Sequence, residues 1–255
     1  MNDSANRKVS IVTPCFNSSA TINETYESIC AQEHPNWEWL VTDDNSSDST
    51  LTILQGFAAY DPRVRVFQNQ RNRGAGATRN TSIGNASGEY IAFLDADDLW
   101  KPKKLSRQLK FMEDNKIAFC FTPFEVMDDA GVTNGKVIDK GAPQTLAYKD
   151  LLFKKATLGC STVMIDQRQV IDVKMPKQRT GQDYVTWLSI LKRGTRAHLF
   201  SESLTYYRIR PGSLSRNKLK KAQEQWRIYR EVEGLSMYYS FFCFCSYSYR
   251  ALVRR

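Results

Sequence analysis

Short apolar runs alternate with longer amphipathic stretches over the first hundred residues. Apolar runs of about five residues are typical of strands that are covered on both faces by other structure. They predict strands at residues 9–13, 37–41, 63–67 and 90–94. The amphipathic stretches predict helices at residues 20–32, 48–59 and 76–85. Alternation at this spacing predicts an α/β protein with a mainly parallel sheet flanked by helices.

The pattern is less regular after residue 98. A polar helix is predicted at 102–115, a turn-rich hairpin segment at 131–141 and an extended stretch at 196–209. Further strands are predicted at 117–121 and 161–165, and further helices at 148–155, 183–192 and 219–233. Repeats and flexible linkers are absent from the sequence. We therefore expect one compact domain at residues 1–218, followed by a basic, aromatic-rich helical tail at 219–255.

Composition and charge narrow the class of protein. Of 255 residues, 42% are hydrophobic and 25% are charged, which excludes a disordered chain. The net charge is +9, and residues 216–255 carry +6 of it. The rest of the chain is too weakly basic for a nucleic-acid-binding surface, although the excess favours an anionic partner. Six cysteines without a Cys-x-x-Cys pair argue against a disulfide framework and a zinc site.

The sequence also predicts where the protein resides. Residues 1–8 are polar and no apolar run follows them, so a signal peptide is not expected. No stretch reaches the ~20 apolar residues that a spanning helix needs. We expect a cytoplasmic protein.

Polar clusters follow three of the predicted strands. They read Thr-Pro-Cys-Phe-Asn at 13–17, Asp-Asp-Asn-Ser-Ser-Asp at 43–48 and Asp-Ala-Asp-Asp at 95–98. Ligands of parallel sheets lie beyond the carboxyl ends of the strands, so these clusters indicate a binding site. Capping of the next helix is an equally good explanation of the second cluster alone.

The third cluster favours a divalent cation. Carboxylates crowded at a strand end repel one another, and Mg2+ or Mn2+ with its preference for oxygen ligands relieves the repulsion.

A glycine-rich segment at residues 72–80 reads Asn-Arg-Gly-Ala-Gly-Ala-Thr-Arg-Asn. Glycines let a backbone approach a phosphate closely, and an arginine binds phosphate oxygens. The segment is neither a dinucleotide fingerprint nor a P-loop, which argues against kinases and NTPases. A structural turn before a helix is the alternative.

These segments together, in this order, resemble glycosyltransferase family 2. The resemblance is strong over residues 9–100 and continues to about residue 218. It implies the GT-A fold and an inverting transfer from a nucleotide-sugar, with UDP the expected nucleotide. In place of the family's usual glycine the chain has Asn45, a residue type that tolerates left-handed backbone.

The resemblance also implies roles for individual residues. Thr13 and Pro14 would line the base pocket with Asn17 beside them, and Asp44 would accept the pyrimidine N3–H. Arg79 would lie near the base and the diphosphate. Asp97 would bind the metal, with Asp95 and Ala96 closing the nucleotide side. A basic loop would close over the diphosphate through Arg208, Ser213 and Lys218, although a solvated loop explains these residues equally well.

The family places its general base at the start of a later helix, in a Glu-Asp pair. The matching positions here are Gln182 and Asp183, so the second acid is missing. The resemblance makes Asp183 the base that takes the proton of the acceptor hydroxyl. An acid favoured by the helix dipole is the alternative.

The segment at 234–249 has no charged residue and contains seven aromatic residues. Aromatics flanked by Arg and Lys suit a helix that lies in a membrane interface, which a lipid-linked acceptor would explain. Packing against the domain or in a homodimer is the alternative.

The sequence as a whole predicts a Mn2+- or Mg2+-dependent inverting glycosyltransferase. The acceptor would be a glycan or a lipid-linked glycan of a cell-envelope or capsular polysaccharide, at the inner face of the cytoplasmic membrane. Nucleic acid is not an expected partner. A sugar nucleotidyltransferase and an inactive membrane-associated scaffold remain alternatives.

Overall fold

The computed structural model describes residues 6–178, 180–210 and 218–253. These residues form a sheet of eight strands and a sheet of four strands. The strands are β1 Val9–Cys15, β2 Trp37–Asp43, β3 Val64–Gln68, β4 Tyr90–Phe93, β5 Leu99–Trp100, β6 Phe119–Phe121, β7 Phe124–Met127, β8 Thr133–Ile138, β9 Thr145–Leu146, β10 Met164–Asp166, β11 Ala197–Leu199 and β12 Thr205–Arg208.

Helices flank the sheets and form the end of the chain. They are α1 Ile22–Cys30, α2 Thr50–Tyr60, α3 Ala75–Ile83, α4 Lys104–Asn115, α5 Tyr148–Leu152, α6 Gln182–Lys192, α7 Lys218–Arg227 and α8 Met237–Val253. A π-helical turn, Ile228–Val232, follows α7 directly. Helix α4 shows why such segments are helical, because its buried Leu105, Leu109 and Met112 recur at helical spacing.

The large sheet has the order β3-β2-β1-β4-β10-β6-β11-β9. The first four of these strands are parallel, as predicted. Strand β10 runs antiparallel to both of its neighbours, β4 and β6. The predicted strand at 161–165 is a 3-10 turn, Cys160–Thr162, followed by β10. The sheet is therefore mixed and mainly parallel over its first half.

The small sheet has the order β5-β12-β7-β8. The hairpin expected at 131–141 forms between β7 and β8, so its first strand precedes the turn-rich segment. Gly131 lies in the turn with φ +81°. Strand β12 pairs with β5 directly after the Asp95–Asp98 segment, which brings residues 205–208 to that segment.

Two apolar cores cover the two faces of the large sheet. In β4, Ile91 and Phe93 face one core, and Tyr90 and Ala92 face the other. All four residues are buried, which explains the unbroken apolar run.

The C-terminal segment shares one of these cores. Ile228, Tyr229 and Cys243 are buried in the same cluster as Phe93. The Tyr229 hydroxyl donates a 2.6 Å hydrogen bond to the Leu152 carbonyl. The division of the chain at residue 218 remains a prediction, but the tail packs directly on the sheet domain.

The core also contains a lysine. Lys104, the first residue of α4, is fully buried, and its ammonium lies 3.9 Å from the centre of the Trp100 ring. Its Nζ has no hydrogen-bond partner within the described residues. Burial lowers the pKa of Lys104 to about 7, opposed only weakly by Cys120. Burial also raises the pKa of the Cys120 thiol to about 12, so this facing group stays neutral.

We expect Lys104→Met to increase the free energy of unfolding at pH 7 by a few kcal/mol, at roughly 1.4 kcal/mol per pKa unit. The unfolded chain binds more protons than the folded one between pH 7 and 10.5. The wild type therefore gains stability as the pH rises through that window, and the advantage of the variant shrinks. Urea unfolding at pH 7 and about pH 10 measures both effects.

Lys110→Met is the matched control, because Lys110 lies on the same helix with its side chain 61% exposed. It should leave stability nearly unchanged at both pH values. A Lys104→Met variant no more stable than the wild type at pH 7, or one whose advantage grows toward pH 10, would contradict the prediction.

Candidate active site

The ends of β1, β2 and β4 meet at one edge of the large sheet. Strand β1 pairs with β2 up to the register Cys15–Asp43, and it pairs with β4 on its other side. Burial raises the pKa of the Cys15 thiol, and the charges of Asp43, Asp95 and Asp97 raise it further. The structure thus brings these three carboxylates around the end of β1.

The loops after β1 and β2 are joined by hydrogen bonds. The Asn17 Oδ1 accepts from the Ser47 backbone N–H at 2.8 Å, and the Asn17 backbone N–H donates to the Ser46 hydroxyl at 2.9 Å. Asp48 accepts from the Ser19 backbone N–H at 3.1 Å. Asn45 has φ +63°, so the turn adopts the left-handed backbone expected at this position.

Thr13 and Pro14 lie at the end of β1. Thr13 is fully buried, and its hydroxyl accepts a 2.8 Å hydrogen bond from the Trp39 indole N–H. Pro14 is partly exposed. The assignment of both residues to a base pocket stays a prediction, with Pro14 the more accessible of the two.

Asp44 holds the glycine-rich segment against β2. Its carboxylate accepts from the backbone N–H groups of Arg73 at 2.9 Å and Gly74 at 2.7 Å, and from the Asn69 side chain at 2.7 Å. A carboxylate has about four acceptor positions, so about one remains. Its assignment to a pyrimidine N3–H stays a prediction.

Asp43 offers a second acceptor that the sequence interpretation did not single out. It is fully buried, and its Oδ2 accepts from the Ser46 backbone N–H at 3.0 Å. Its Oδ1 has no hydrogen-bond partner within the described residues. A buried oxygen without a partner is costly, so this atom is suited to accept a hydrogen bond from a ligand.

Two glycines of the glycine-rich segment are required for different reasons, Gly74 for its backbone conformation and Gly76 for close packing. Gly74 has φ +82° with open space beside it. A Cβ on Gly76 would lie 2.6 Å from the Pro176 carbonyl oxygen and 3.3 Å from the Gln182 Cβ. The glycine therefore lets α3 approach the segment that precedes α6, a role different from the phosphate approach predicted for it.

Arg79 is buried on α3 and forms an ion pair with Asp95. Burial opposes its charge, but the ion pair and hydrogen bond with Asp95 and the further effects of Cys160 and Asp183 together raise the pKa of the guanidinium. The Asp95 side chain is 29% exposed, so one partner of the pair remains open to the cleft. The pair joins the glycine-rich segment to the acidic segment.

The Asp95–Asp98 segment is held at several points. The Thr21 hydroxyl donates to the Ala96 carbonyl at 2.8 Å, and the Thr25 hydroxyl donates to the Asp98 carbonyl at 3.1 Å. The buried Asp98 carboxylate accepts from the Ser161 hydroxyl at 2.5 Å. Burial raises the pKa of Asp97 to about 6, and the charge of Asp95 adds to this effect.

These features fit a divalent cation shared with a ligand. No group of three or more acidic, His or Cys side chains suited to a metal occurs in the described part of the chain. Mg2+ is usually held by one or two carboxylates together with phosphate oxygens and water. Asp97 and Asp95 supply two such carboxylates. Burial and the charge of Asp95 raise the pKa of Asp97, so a cation beside it would favour the ionised form.

Asp183 lies in the first turn of α6, next to Gly181, whose φ is +67°. Burial raises the pKa of the Tyr207 phenol on β12, and the charges of Asp98, Asp95, Asp97 and Asp183 raise it further. The charges of Asp97 and Asp183 therefore both act on the same phenol. The sequence interpretation gave Tyr207 no role of its own and included it only as the first residue of the segment that contains Arg208.

Arg208 ties β12 to the acidic segment. Its buried guanidinium forms an ion pair with Glu24 and donates to the Asp97 carbonyl at 2.8 Å and the Asp129 carbonyl at 2.8 Å. Its assignment to the donor diphosphate stays a prediction. Ser213 lies outside the described residues, as does the side chain of Lys218, which begins α7.

The C-terminal segment reaches the start of α6. A Cβ on Gly181 would lie 3.1 Å from the Ile228 Cδ1. Burial lowers the pKa of Lys221 on α7, and the charge of Asp183 opposes that shift. Helix α7 and the π-helical turn thus stand next to the candidate base.

A separate cleft of about 570 Å³ lies between α3 and α6. Arg73, Lys174 and Lys177 contribute to its lining, but none of the candidate acids does. On α6 it is lined by Val185, Thr186 and Ser189. This cleft is not the site formed at the strand ends.

Comparisons with known proteins identify the relatives of the chain. The model of a family described as "Glycosyl transferase family 2" matches residues 10–172. A Bacillus subtilis (strain 168) protein, provisionally named teichuronic acid biosynthesis glycosyltransferase TuaG, is 42% identical over 247 residues, covering 97% of each chain. The Escherichia coli UDP-Glc:alpha-D-GlcNAc-diphosphoundecaprenol beta-1,3-glucosyltransferase WfgD is 36% identical over 221 residues, covering 86% of this chain and 84% of WfgD.

Two solved structures share the fold. Staphylococcus aureus TarS in complex with UDP-GlcNAc has a TM-score of 0.70 at 21% identity, covering 88% of this chain and 64% of the TarS chain. The mannosyltransferase PcManGT from Pyrobaculum calidifontis, in complex with GDP-Man and Mn2+, has a TM-score of 0.70 at 17% identity, covering 97% of this chain and 71% of that one. The chain thus spans about two thirds of the TarS structure. The predicted GT-A type fold is confirmed.

Proposed function

The chain belongs to glycosyltransferase family 2, and we propose that it transfers the sugar of a UDP-sugar to a hydroxyl group of a lipid-linked glycan, with inversion at the anomeric carbon. The process it would serve is the synthesis of a cell-envelope polysaccharide. The observation that supports this proposal most is that Asp97 and Asp183 act on the same Tyr207 phenol. The charges of an acid suited to the donor phosphates and of an acid suited to the acceptor hydroxyl thus reach the same side chain.

The relatives support the proposed substrate classes. The name of TuaG refers to teichuronic acid, and the name of WfgD refers to UDP-glucose and a diphosphoundecaprenol-linked sugar. TarS has been solved with UDP and with UDP-GlcNAc. For this chain we propose a uridine nucleotide and an acceptor on a lipid diphosphate.

The proposed chemistry is a single displacement at the anomeric carbon. The Asp183 carboxylate accepts the proton of the acceptor hydroxyl, whose oxygen bonds to the anomeric carbon. The bond from that carbon to the phosphate oxygen breaks, and its electron pair leaves with the nucleoside diphosphate. Attack from the face opposite the leaving group inverts the configuration. One carboxylate is enough for this step, so the neutral Gln182 in place of the family's Glu is compatible with it.

The donor phosphates would be held by the acidic segment and by Arg79. A divalent cation, Mn2+ or Mg2+, held by Asp97 and Asp95 would supply positive charge beside the departing diphosphate. Arg79, which is itself buried, keeps Asp95 in place through their ion pair. The threonine hydroxyls of α1 fix the backbone on which Asp97 stands, which limits reorganisation during transfer.

The nucleoside would lie beyond the ends of β1 and β2. We propose that the unpartnered Asp43 Oδ1 is available to accept the base N–H, beside the position predicted at Asp44. Asp44 contributes by holding the Arg73–Gly74 backbone.

A transfer assay tests the proposed function. The purified chain is incubated with UDP-sugars and a lipid-diphosphate-linked sugar acceptor, with Mn2+ or Mg2+ and with EDTA, after a thermal-shift screen has selected the donor. We expect UDP release and a β-configured product from an α-linked donor only with metal. Pyrophosphate release from a nucleoside triphosphate would favour a sugar nucleotidyltransferase instead. Absence of metal-enhanced UDP binding would favour an inactive scaffold.

A further inference from the structure

Helix α8 carries a continuous apolar stripe on its outer face. The members of this outer stripe are all exposed, between 57% and 83% for the aromatic and leucine side chains: Tyr238, Phe241, Phe242, Cys245, Tyr249 and Leu252. Their spacing of three, four or seven residues places them on one side of the helix. Single exposed apolar residues are ordinary, but a stripe that runs the length of a 17-residue helix marks an interaction surface.

The opposite face fixes the orientation of the helix. Ser240 and Cys243 are buried against the domain. The Ser246 hydroxyl donates to the Phe153 carbonyl at 2.7 Å, and the Tyr239 ring lies 5.9 Å from the Phe153 ring. Rotation of α8 to bury the outer stripe would break these contacts, so the stripe stays exposed on the folded chain.

The charge around the stripe has one sign. Between residues 234 and 253 the single charged residue is Arg250, and no acid occurs there. Residues 216–255 carry +6 of the net charge of +9. An apolar face with basic flanks and without acids complements an anionic lipid surface. Two copies of this tail would instead bring like charges together, which disfavours a self-association through it.

The length and side chains of α8 suit a position on the surface of a bilayer. No described helix is long and apolar enough to cross a membrane. Tyrosine and phenylalanine rings together with arginine suit the headgroup boundary, where one end of a side chain is apolar and the other is wet.

We propose that the outer stripe of α8 inserts into the headgroup boundary of an anionic phospholipid bilayer, so that the helix lies flat on the membrane surface. The proposal rests on the proposed function in one respect, since a lipid-linked acceptor gives the protein a reason to dock there. The π-helical turn that precedes α8 contains Ile228, whose side chain lies close to Gly181 at the start of α6. Docking would therefore hold the side of the domain that carries Asp183 close to the membrane.

Co-sedimentation of the full chain with vesicles tests the proposal. We expect binding to vesicles containing phosphatidylglycerol, with weaker binding to pure phosphatidylcholine and weakening with salt. The double variant Phe241→Ser/Phe242→Ser should bind at least about tenfold more weakly, because it replaces two apolar rings that the membrane would bury with small polar side chains. Tyr60→Ser is the matched control, because Tyr60 is 92% exposed on α2, and it should bind like the wild type.

Three outcomes would overturn the inference. The wild type could stay in the supernatant with anionic vesicles, or the double variant could bind vesicles as well as the wild type. The third is a wild type that binds no vesicles and is a dimer in sedimentation velocity, while the double variant is a monomer. UDP binding by calorimetry is measured on the same samples and should be equal in all three proteins. The two proposals can fail separately. If the wild type binds vesicles and the double variant does not, but the wild type does not bind UDP, the membrane surface is supported and the proposed function is refuted.

Discussion

Asp183→Asn is expected to lower kcat for sugar transfer by about 10²–10⁴-fold, the range typical of a lost general base. The amide has nearly the shape of the carboxylate but cannot take the acceptor proton. Affinity for UDP with Mn2+ should stay within a few-fold, because the role proposed for Asp183 concerns the acceptor and not the nucleotide. Transfer rates and calorimetric UDP binding of the same preparation measure the two effects separately.

Asp114→Asn is the matched control for this substitution. Asp114 lies on α4, and its exposed carboxylate pairs with Lys110, far along the helix from the strand ends. Its loss should change transfer less than twofold. Full transfer by Asp183→Asn would refute the assignment of the base, and a parallel loss of UDP binding would show that the side chain is needed by the donor instead.

Asp97→Asn is expected to remove the metal enhancement of UDP binding and to reduce transfer by at least about 10³-fold. The substitution removes one of the two carboxylates available for the cation, and it also removes the charge that a metal would have neutralised. EDTA should have the same effect on the wild type, and an excess of Mn2+ should restore it. Calorimetry with UDP in the presence and absence of Mn2+ measures the enhancement directly.

Asp172→Asn serves as the control for the second substitution. Asp172 is exposed and has φ +57°, a backbone that asparagine also adopts readily. The Asp172→Asn variant should keep the metal enhancement of UDP binding that the wild type shows. An Asp97→Asn variant that still binds UDP more tightly with Mn2+ would place the cation on other residues.

The first half of the fold could be predicted from the sequence, because local pattern and final structure agree there. Strand β4 reads as an unbroken apolar run, and all four of its residues are buried between two cores. The ends of the first three predicted helices each lie within two residues of the observed ends. The family resemblance, which was carried by the strand-end motifs of this half, is confirmed.

The second half was less predictable because its strands are short and its pairings join distant parts of the chain. Strand β10 has three residues, and nothing in them indicates that it runs antiparallel between β4 and β6. The predicted hairpin segment supplies one strand of the hairpin, and the partner strand β7 precedes it. The direction of a three-residue strand is set by tertiary packing rather than by its own sequence.

The same limit applies to the candidate site. The sequence predicted the acids at the strand ends, and the structure brings them together around Cys15. It gave no indication that Gly76 is packed against Pro176, a hundred residues away, or that Arg208 reaches Glu24. Such contacts depend on the full topology. The roles of the candidate acids in binding and catalysis remain predictions, and the substitutions above test those of Asp97 and Asp183.

The central position of β10 has a consequence for biosynthesis. As the chain leaves the ribosome, β1 to β4 are complete long before residues 164–166 are translated. Until then one edge of the apolar strand β4 has unsatisfied backbone groups, which is the feature that promotes intermolecular pairing. A nascent chain that stalls before residue 164 would therefore expose this unpaired strand edge. Shortened chains that contain β1 to β4 but lack β10 are expected to need chaperones, whereas a chain that includes β10 closes that edge with its own strand.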